Sequence, residues 1–320
     1  MKLRIGVMGC AAIARRSVIP AIRANEGFEL VAVASREAQK AEELANEFGC
    51  KAVTGYDNLL NEAIDAVYIP LPTGLHDEWI TKALLAGKHV YAEKSIAASF
   101  TSAQAMVKLA ESRHLALMEG YMFLYHTQHQ AVKELIRDGA IGEIRNVYAA
   151  FGFPPLADGN FRYDNQVGGG ALYDAAGYPL RAVHMLLGPD YQVTASTLYN
   201  DPKTGTNLYG SAFLSGKPGV GAQIVFGFDH FYQCYYEIWG STGKITAERA
   251  FTPGADFEPV IRLEQQGVVN RMPQPACNHF AAAIAEFGRI IKNPQQRREH
   301  YDAILLQSES QQKIFELANP

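Results

Sequence analysis

The chain is poor in features that would send it to special environments. Its 320 residues include four cysteines, at positions 10, 50, 234 and 277, with no C-x-x-C pair. That pattern excludes both a disulfide framework and a zinc site built on paired thiols, and it fits reduced thiols in a cytoplasmic protein. No apolar run reaches the roughly 18–20 residues of a membrane-spanning helix. The apolar stretch before Cys10 is also shorter than the roughly 7–15 residues an export signal needs, and Arg15 and Arg16 follow at once. Net charge is only −4, and no long run of one sign occurs, so neither a nucleic-acid footprint nor a charged tail is predicted. Internal repeats and low-complexity linkers are missing too. What remains is a chain with 48% hydrophobic residues and length enough for two domains, each with its own core.

The first segment is also short of glycine where a nucleotide loop usually has it. Lys2–Met8 reads as a buried strand, and Gly9, Cys10, Ala11, Ala12, Ile13 and Ala14 turn it into a helix with the spacing G-x-A-x-x-A. This is a variant of the dinucleotide fingerprint G-x-G-x-x-G/A. Gly9 makes the tight turn, Ala11 keeps the backbone close to a pyrophosphate, and Ala14 lets helix and strand pack. Free N–H groups at the helix start then face the phosphates. The other reading is a tight strand-to-helix turn without a ligand.

The second strand, Phe28–Ala34, ends at Ser35 and Arg36, where an NAD-binding fold carries an acidic residue for the ribose hydroxyls. A hydroxyl and a planar guanidinium suit a 2′-phosphate instead, which predicts NADP(H). Arg15, Arg16 and Lys40 add positive charge to the same region. The bland reading of Arg36 is a solvated residue opening the next helix.

Strand and helix patterns alternate from there to about residue 121, with strands at 51–53, 66–69, 89–92 and 116–119. Short connections between them predict a parallel sheet with helices on both faces, a Rossmann domain over 1–121. Ligands in such sheets sit beyond the carboxyl ends of the strands, which gathers the loops at 9–14, 35–36, 70–76 and 93–95. From 122 to 320 the pattern changes to period-two segments at 143–153, 192–199, 208–214, 220–228, 232–240, 244–250 and 260–265, closed by two amphipathic helices, 278–292 and 299–316. The fold class is therefore α/β, a Rossmann domain followed by an α/β domain with a large, mostly antiparallel open sheet. A sheet face left uncovered by helices predicts a homo-oligomer, a dimer or tetramer.

Two places hold residues suited to chemistry. Glu93, Lys94 and Ser95 follow a strand at the ligand edge, where the Lys94 ammonium can bond a substrate oxygen or lower the pKa of a neighbouring acid. The second is the glycine-rich run Gly168–Gly170, leading into a helix that ends at Gly188. Asp174, Tyr178 and Arg181 stand four and three residues apart on it, on one face. Pro179 predicts a start or kink near Tyr178. A core tyrosine with a capping aspartate is the competing reading.

Taken with Pro70, Leu71, Pro72 and His76, with the run Gly139–Ile144, and with the order of all these motifs, the chain resembles the Gfo/Idh/MocA oxidoreductase family along nearly its whole length. A tyrosine at position 178 resembles the branch with NADP-dependent sugar 3-ketoreductases, dihydrodiol dehydrogenases and D-xylose dehydrogenases. The resemblance implies hydride transfer between nicotinamide and a carbon of a sugar, free or nucleotide-linked, bound between the domains. Lys94 and Tyr178 would be the catalytic pair, with Asp174 bonding sugar hydroxyls. The cofactor would lie on Gly9, Cys10, Ala11, Ala12, Ile13, Ser35, Arg36, Pro70, Leu71, Pro72, His76, Glu93 and Lys94. Arg162, Tyr163, Asp174, Tyr178 and Arg181 would line the sugar pocket, and no metal is implied. Tyr121, Phe123 and Tyr125 are read either as a sugar platform or as core. One departure is Ser95, where the family has proline after the catalytic lysine. It leaves open an alternative, a non-catalytic NADP-binding sensor on the same fold.

Overall fold

A computed structural model describes residues 2–157 and 159–319. The chain divides into two compact units, Met1–Tyr121 with Phe280–Ser308, and Met122–His279 with Glu309–Pro320.

In the first unit, strands β1 (Leu3–Met8), β2 (Phe28–Ser35), β3 (Lys51–Thr54), β4 (Ala66–Ile69), β5 (His89–Ala92) and β6 (Leu117–Glu119) form one sheet in the order β3-β2-β1-β4-β5-β6. Every pairing is parallel. All of β4 is buried, as expected of a strand with helices over both faces. The order reverses between β1 and β4, so the crevice for a ligand opens at the carboxyl ends of those two strands.

The predicted boundary put everything after residue 121 in the second domain, but Phe280–Ser308 belongs to the first unit. The cause is aromatic packing. Phe287, on helix His279–Lys292, stacks on Phe28 at 6.1 Å and lies 5.6 Å from Tyr91. Farther on, Arg297 donates to the carbonyl oxygens of Ile290, Ile291 and His114, and the Tyr301 hydroxyl donates to Leu115.

In the second unit, β7 (Ile144–Gly152), β8 (Gln192–Asn200), β9 (Asn207–Ser215), β10 (Gly221–Gly227), β11 (Gln233–Gly240), β12 (Gly243–Glu248), β13 (Val260–Gln265) and β14 (Val268–Pro273) form an eight-stranded sheet. Its order is β14-β13-β12-β11-β7-β10-β9-β8. Only the β7–β10 pairing is parallel. Strand β14 was not predicted, because its residues are almost all exposed and show no alternation. A two-residue hairpin at Gln266 and Gly267, with φ of 46° and 80°, turns the chain back to form it.

One face of this sheet is apolar and buried. Val147, Ala149, Phe151, Cys234, Tyr236 and Ile238 all point into it, and helix Gly177–Leu187 packs there on β7 and β10. The opposite face carries Tyr148, Tyr235, Tyr199, Tyr209, Phe213 and Trp239. Tyr199 and Tyr209 stack at 4.7 Å, and Trp239 is 62% exposed. Toward β14 that face turns ionic, with Lys244 between Glu237 and Glu264, and Arg262 beside Glu264. Among the described residues no helix is long and apolar enough to cross a membrane.

The helix predicted from Gly170 to Leu187 is broken. It forms as Ala171–Asp174 and Gly177–Leu187, with Ala175 and Ala176 between them. Pro179 has no N–H to give and is best placed in a first turn, so a new helix starts just ahead of it.

Candidate active site

In the first unit, Gly9 turns the chain out of β1 with φ of 125°, its N–H bonded to the Ala34 carbonyl oxygen at 2.9 Å. A Cβ there would meet Leu71 Cδ2 at 3.1 Å, so the loops after β1 and β4 approach closely only because position 9 is glycine. A short π-helical turn, Ala14–Val18, continues the loop into helix Ile19–Ala24.

At the end of β2 the two predicted residues part company. Ser35 is buried, and its hydroxyl oxygen accepts the Glu37 N–H at 3.2 Å. It shapes the turn and is not presented to a ligand. Arg36 is exposed beside the Tyr56 hydroxyl, whose pKa is raised by burial and drawn back by the Arg36 guanidinium. Of the other predicted cations, Lys40 pairs with Glu37 and Arg15 with Glu47, while Arg16 is exposed. Burial also raises the Cys10 thiol, which keeps it protonated. Sequence reading missed Tyr56, which sits edge-on to Trp79 at 5.0 Å with its hydroxyl 3.8 Å from the position of a Gly9 Cβ. The only sequence signal was a Gly-Tyr pair just past a strand end.

Pro70 and Leu71 are buried and Pro72 is half-buried at the end of β4. His76, predicted to touch the cofactor, lies behind this loop and is fully buried. Its Nδ1 and Nε2 are each 2.9 Å from a carbonyl oxygen, of Ser95 and Leu71 respectively. Both ring nitrogens face backbone carbonyls, so His76 sits between the loops after β4 and β5. Burial lowers its pKa to about 4, so at pH 7 the ring is neutral and donates to only one of the two carbonyls.

Glu93 and Lys94 are half-buried after β5, and the Lys94–Ser95 peptide bond is cis. Tyr68 donates its hydroxyl to Glu93 at 2.7 Å, and the Ile96 N–H donates to Glu119 Oε1 at 2.8 Å. The turn that loses the family proline at Ser95 is thus held from both sides, by His76 and Glu119. Glu119 was not singled out in the sequence, because a carboxylate at a strand end has no distinguishing pattern. Tyr121 and Phe123 are buried, and Tyr125 is half-buried.

In the second unit, Tyr178 is the second residue of helix Gly177–Leu187 and is 7% exposed. Three phenylalanines wall it in, Phe151 at 4.7 Å and Phe123 and Phe251 at 5.9 Å. Asp174 ends the preceding short helix, and its Oδ2 accepts from Arg162 Nε at 2.7 Å. Asp174 and Arg162 therefore come together, while the break at Ala175 and Ala176 takes Asp174 off the helix on which Tyr178 and Arg181 stand three residues apart. Arg181 is half-buried one turn before His184 and helps to hold that buried imidazole below its usual pKa, at about 4, mainly through burial. Tyr163 was predicted to line the pocket, but its hydroxyl accepts the Leu156 N–H at 2.8 Å. It pins its own loop.

The comparisons extend this picture. Residues 3–121 match the profile of an oxidoreductase family with an NAD-binding Rossmann fold, and residues 129–246 match the GFO/IDH/MocA C-terminal domain. A dTDP-3,4-didehydro-2,6-dideoxy-alpha-D-glucose 3-reductase from Saccharopolyspora spinosa is 46% identical over 91% of this chain and 88% of its own. A reductase of the same description from Actinomadura kijaniata is 41% identical over 96% and 92%. A 3-ketoreductase from Actinomadura kijaniata, solved with NADP and TDP-benzene, superposes with a TM-score of 0.96 at 39% identity, covering 99% of this chain and 98% of that one.

Proposed function

The chain belongs to the Gfo/Idh/MocA oxidoreductase family, and from that premise we propose that it reduces the keto group of a nucleotide-linked sugar with NADPH. The observation that carries the reading is Tyr178: a phenol at the head of a helix, in an aromatic wall, in a chain matched from end to end by sugar 3-ketoreductases.

The nucleotide loop fits the cofactor, because the close approach at Gly9 leaves room for backbone but not for a side chain. The N–H groups from Gly9 to Ile13 would hold the pyrophosphate, Arg36 the 2′-phosphate, and Pro70–Pro72, Glu93 and Lys94 the nicotinamide. Bound NADPH supplies hydride to the carbonyl carbon. The proton must then come from the protein. Tyr178 gives its phenolic proton to the carbonyl oxygen, and Lys94 polarises that oxygen and favours the tyrosinate left behind. In oxidation the roles reverse. The wall of Phe123, Phe151 and Phe251 keeps water from competing for the transfer. Asp174, held by Arg162, accepts from sugar hydroxyls. Since the turn at Ser95 keeps its contacts to His76 and Glu119, the loss of proline there gives no support to a sensor without turnover.

The aromatic outer face of the eight-stranded sheet is the surface on which a second copy would pack, making the protein a homodimer or a pair of dimers. The reading is tested by mixing NADPH, protein and TDP-linked or free ketosugars. A ketoreductase bleaches the nicotinamide absorbance with a TDP-linked 3-ketosugar, whereas a binding protein leaves it unchanged with every sugar.

A further inference from the structure

We propose that Arg249, with Tyr232 and Phe257, anchors the nucleoside diphosphate of the substrate; the inference rests on the nucleotide-sugar reading above. Arg249 is exposed and has φ of 57°, an arrangement that a long side chain adopts only where its surroundings hold it. Here they do. Ala250 donates its N–H to the Cys234 carbonyl oxygen at 2.8 Å, and Phe251 donates to the Cys234 sulfur at 3.4 Å.

The guanidinium is fixed as well as the backbone. It lies 4.7 Å from the centre of the Tyr232 ring and 5.7 Å from that of Phe257, and its Nη1 donates to the Tyr232 hydroxyl at 2.7 Å. Tyr232 is itself tied to Thr252 at 3.3 Å. Yet among the described residues Arg249 forms no ion pair with a carboxylate, while Arg162 is already paired with Asp174. A planar cation held in place, stacked on rings and left without an anion is a receptor for phosphate oxygens. Phe257, 42% exposed beside it, offers a flat apolar face to a base.

Position supports the assignment. Tyr232 continues the inward row of Cys234 and Tyr236, by the alternation of the strand it leads into. It therefore lies on the helix-bearing side of the sheet, where Tyr178 packs on Phe151 and Phe251. Phe251 is two residues beyond Arg249, at most about 7 Å of chain, and touches Tyr178. A pyranosyl diphosphate separates its reacting carbon from its phosphates by about one sugar ring, so Arg249 stands within reach of the phosphates of a sugar placed at Tyr178.

The test is calorimetric titration of dTDP, and separately of thymidine, into the NADPH-loaded protein. Wild type should bind dTDP. Arg249→Gln should weaken dTDP about ten- to a hundredfold, the usual worth of a charge-assisted contact, and leave thymidine and NADPH affinity unchanged. Phe257→Leu should weaken both dTDP and thymidine. Equal dTDP affinity in wild type and a folded Arg249→Gln overturns the anchor and leaves the nucleotide-sugar reading intact. If Arg249→Gln does not fold, Phe257→Leu decides: unchanged dTDP and thymidine affinity in it overturns the platform. Wild type that binds NADPH but no dTDP overturns the nucleotide-sugar reading itself.

Discussion

Arg162 Nε lies 2.7 Å from Asp174 Oδ2, so two residues expected to meet the sugar separately already hold each other. The pair joins a surface loop to the short helix Ala171–Asp174, both half-buried. Asp174→Asn keeps the shape but removes the charge that orients Arg162. It should raise KM for the sugar about tenfold with a smaller loss in kcat, because it removes binding more than transition-state contact. Steady-state kinetics at saturating NADPH read this split, and an unchanged KM would remove Asp174 from the sugar site.

Cofactor choice is proposed to rest on Arg36, the exposed guanidinium beside Tyr56. Wild type should bind NADPH about ten- to a hundredfold more tightly than NADH. Arg36→Asp should reverse the order, by repelling a 2′-phosphate and accepting from a free ribose hydroxyl. Fluorescence titration with both cofactors checks it; equal dissociation constants in wild type would leave Arg36 a solvated surface residue.

Assembly follows from the outer sheet face. Trp239→Glu places a charge on the exposed aromatic surface and should convert the proposed oligomer to monomer. Light scattering at micromolar concentration reads the mass, and a wild-type monomer would contradict the assignment of that face.

The buried histidines set an acid limit on stability. Burial holds His76, His184 and His279 at about 4 and His129 at about 3. Between these values and the ordinary 6.5 the unfolded chain binds protons that the folded chain refuses, so stability rises with pH through that window. It is full only above about pH 7.5 and falls as pH drops toward 4, by on the order of 5 kcal/mol at pH 5.5 if the four act independently. Urea midpoints at pH 7.5, 6.5 and 5.5 should therefore fall a little over the first step and about three times as much over the second.

Much of the fold is legible because burial leaves a pattern. Strand β4 is buried throughout, and β7 and β11 alternate on one covered face. Strand β14 left no such trace, since an exposed edge strand is stabilised by backbone pairing and not by side-chain burial. The return of Phe280–Ser308 to the first unit was hidden for a related reason. Its amphipathic face shows that it covers a core, but the partner, the ring of Phe28, is more than two hundred residues away in the sequence. Around the candidate site, the tight turn at Gly9 was readable because a motif fixes it. Which way a side chain turns was not readable: the Ser35 hydroxyl and the His76 ring nitrogens face backbone, and the Tyr163 hydroxyl closes on its own loop.

The central claim is that Tyr178 gives the proton. Tyr178→Phe keeps the ring in contact with Phe151 and removes the only group on it that can transfer one. Single-turnover reduction of a TDP-linked 3-ketosugar by preloaded NADPH should slow by about 10²- to 10⁴-fold, with NADPH affinity and melting temperature nearly unchanged. Lys94→Ala should slow the same step, and the double variant should be little slower than the slower single one, since both groups act on one oxygen. Normal single-turnover rates in Tyr178→Phe would contradict the account and move the acid to another group.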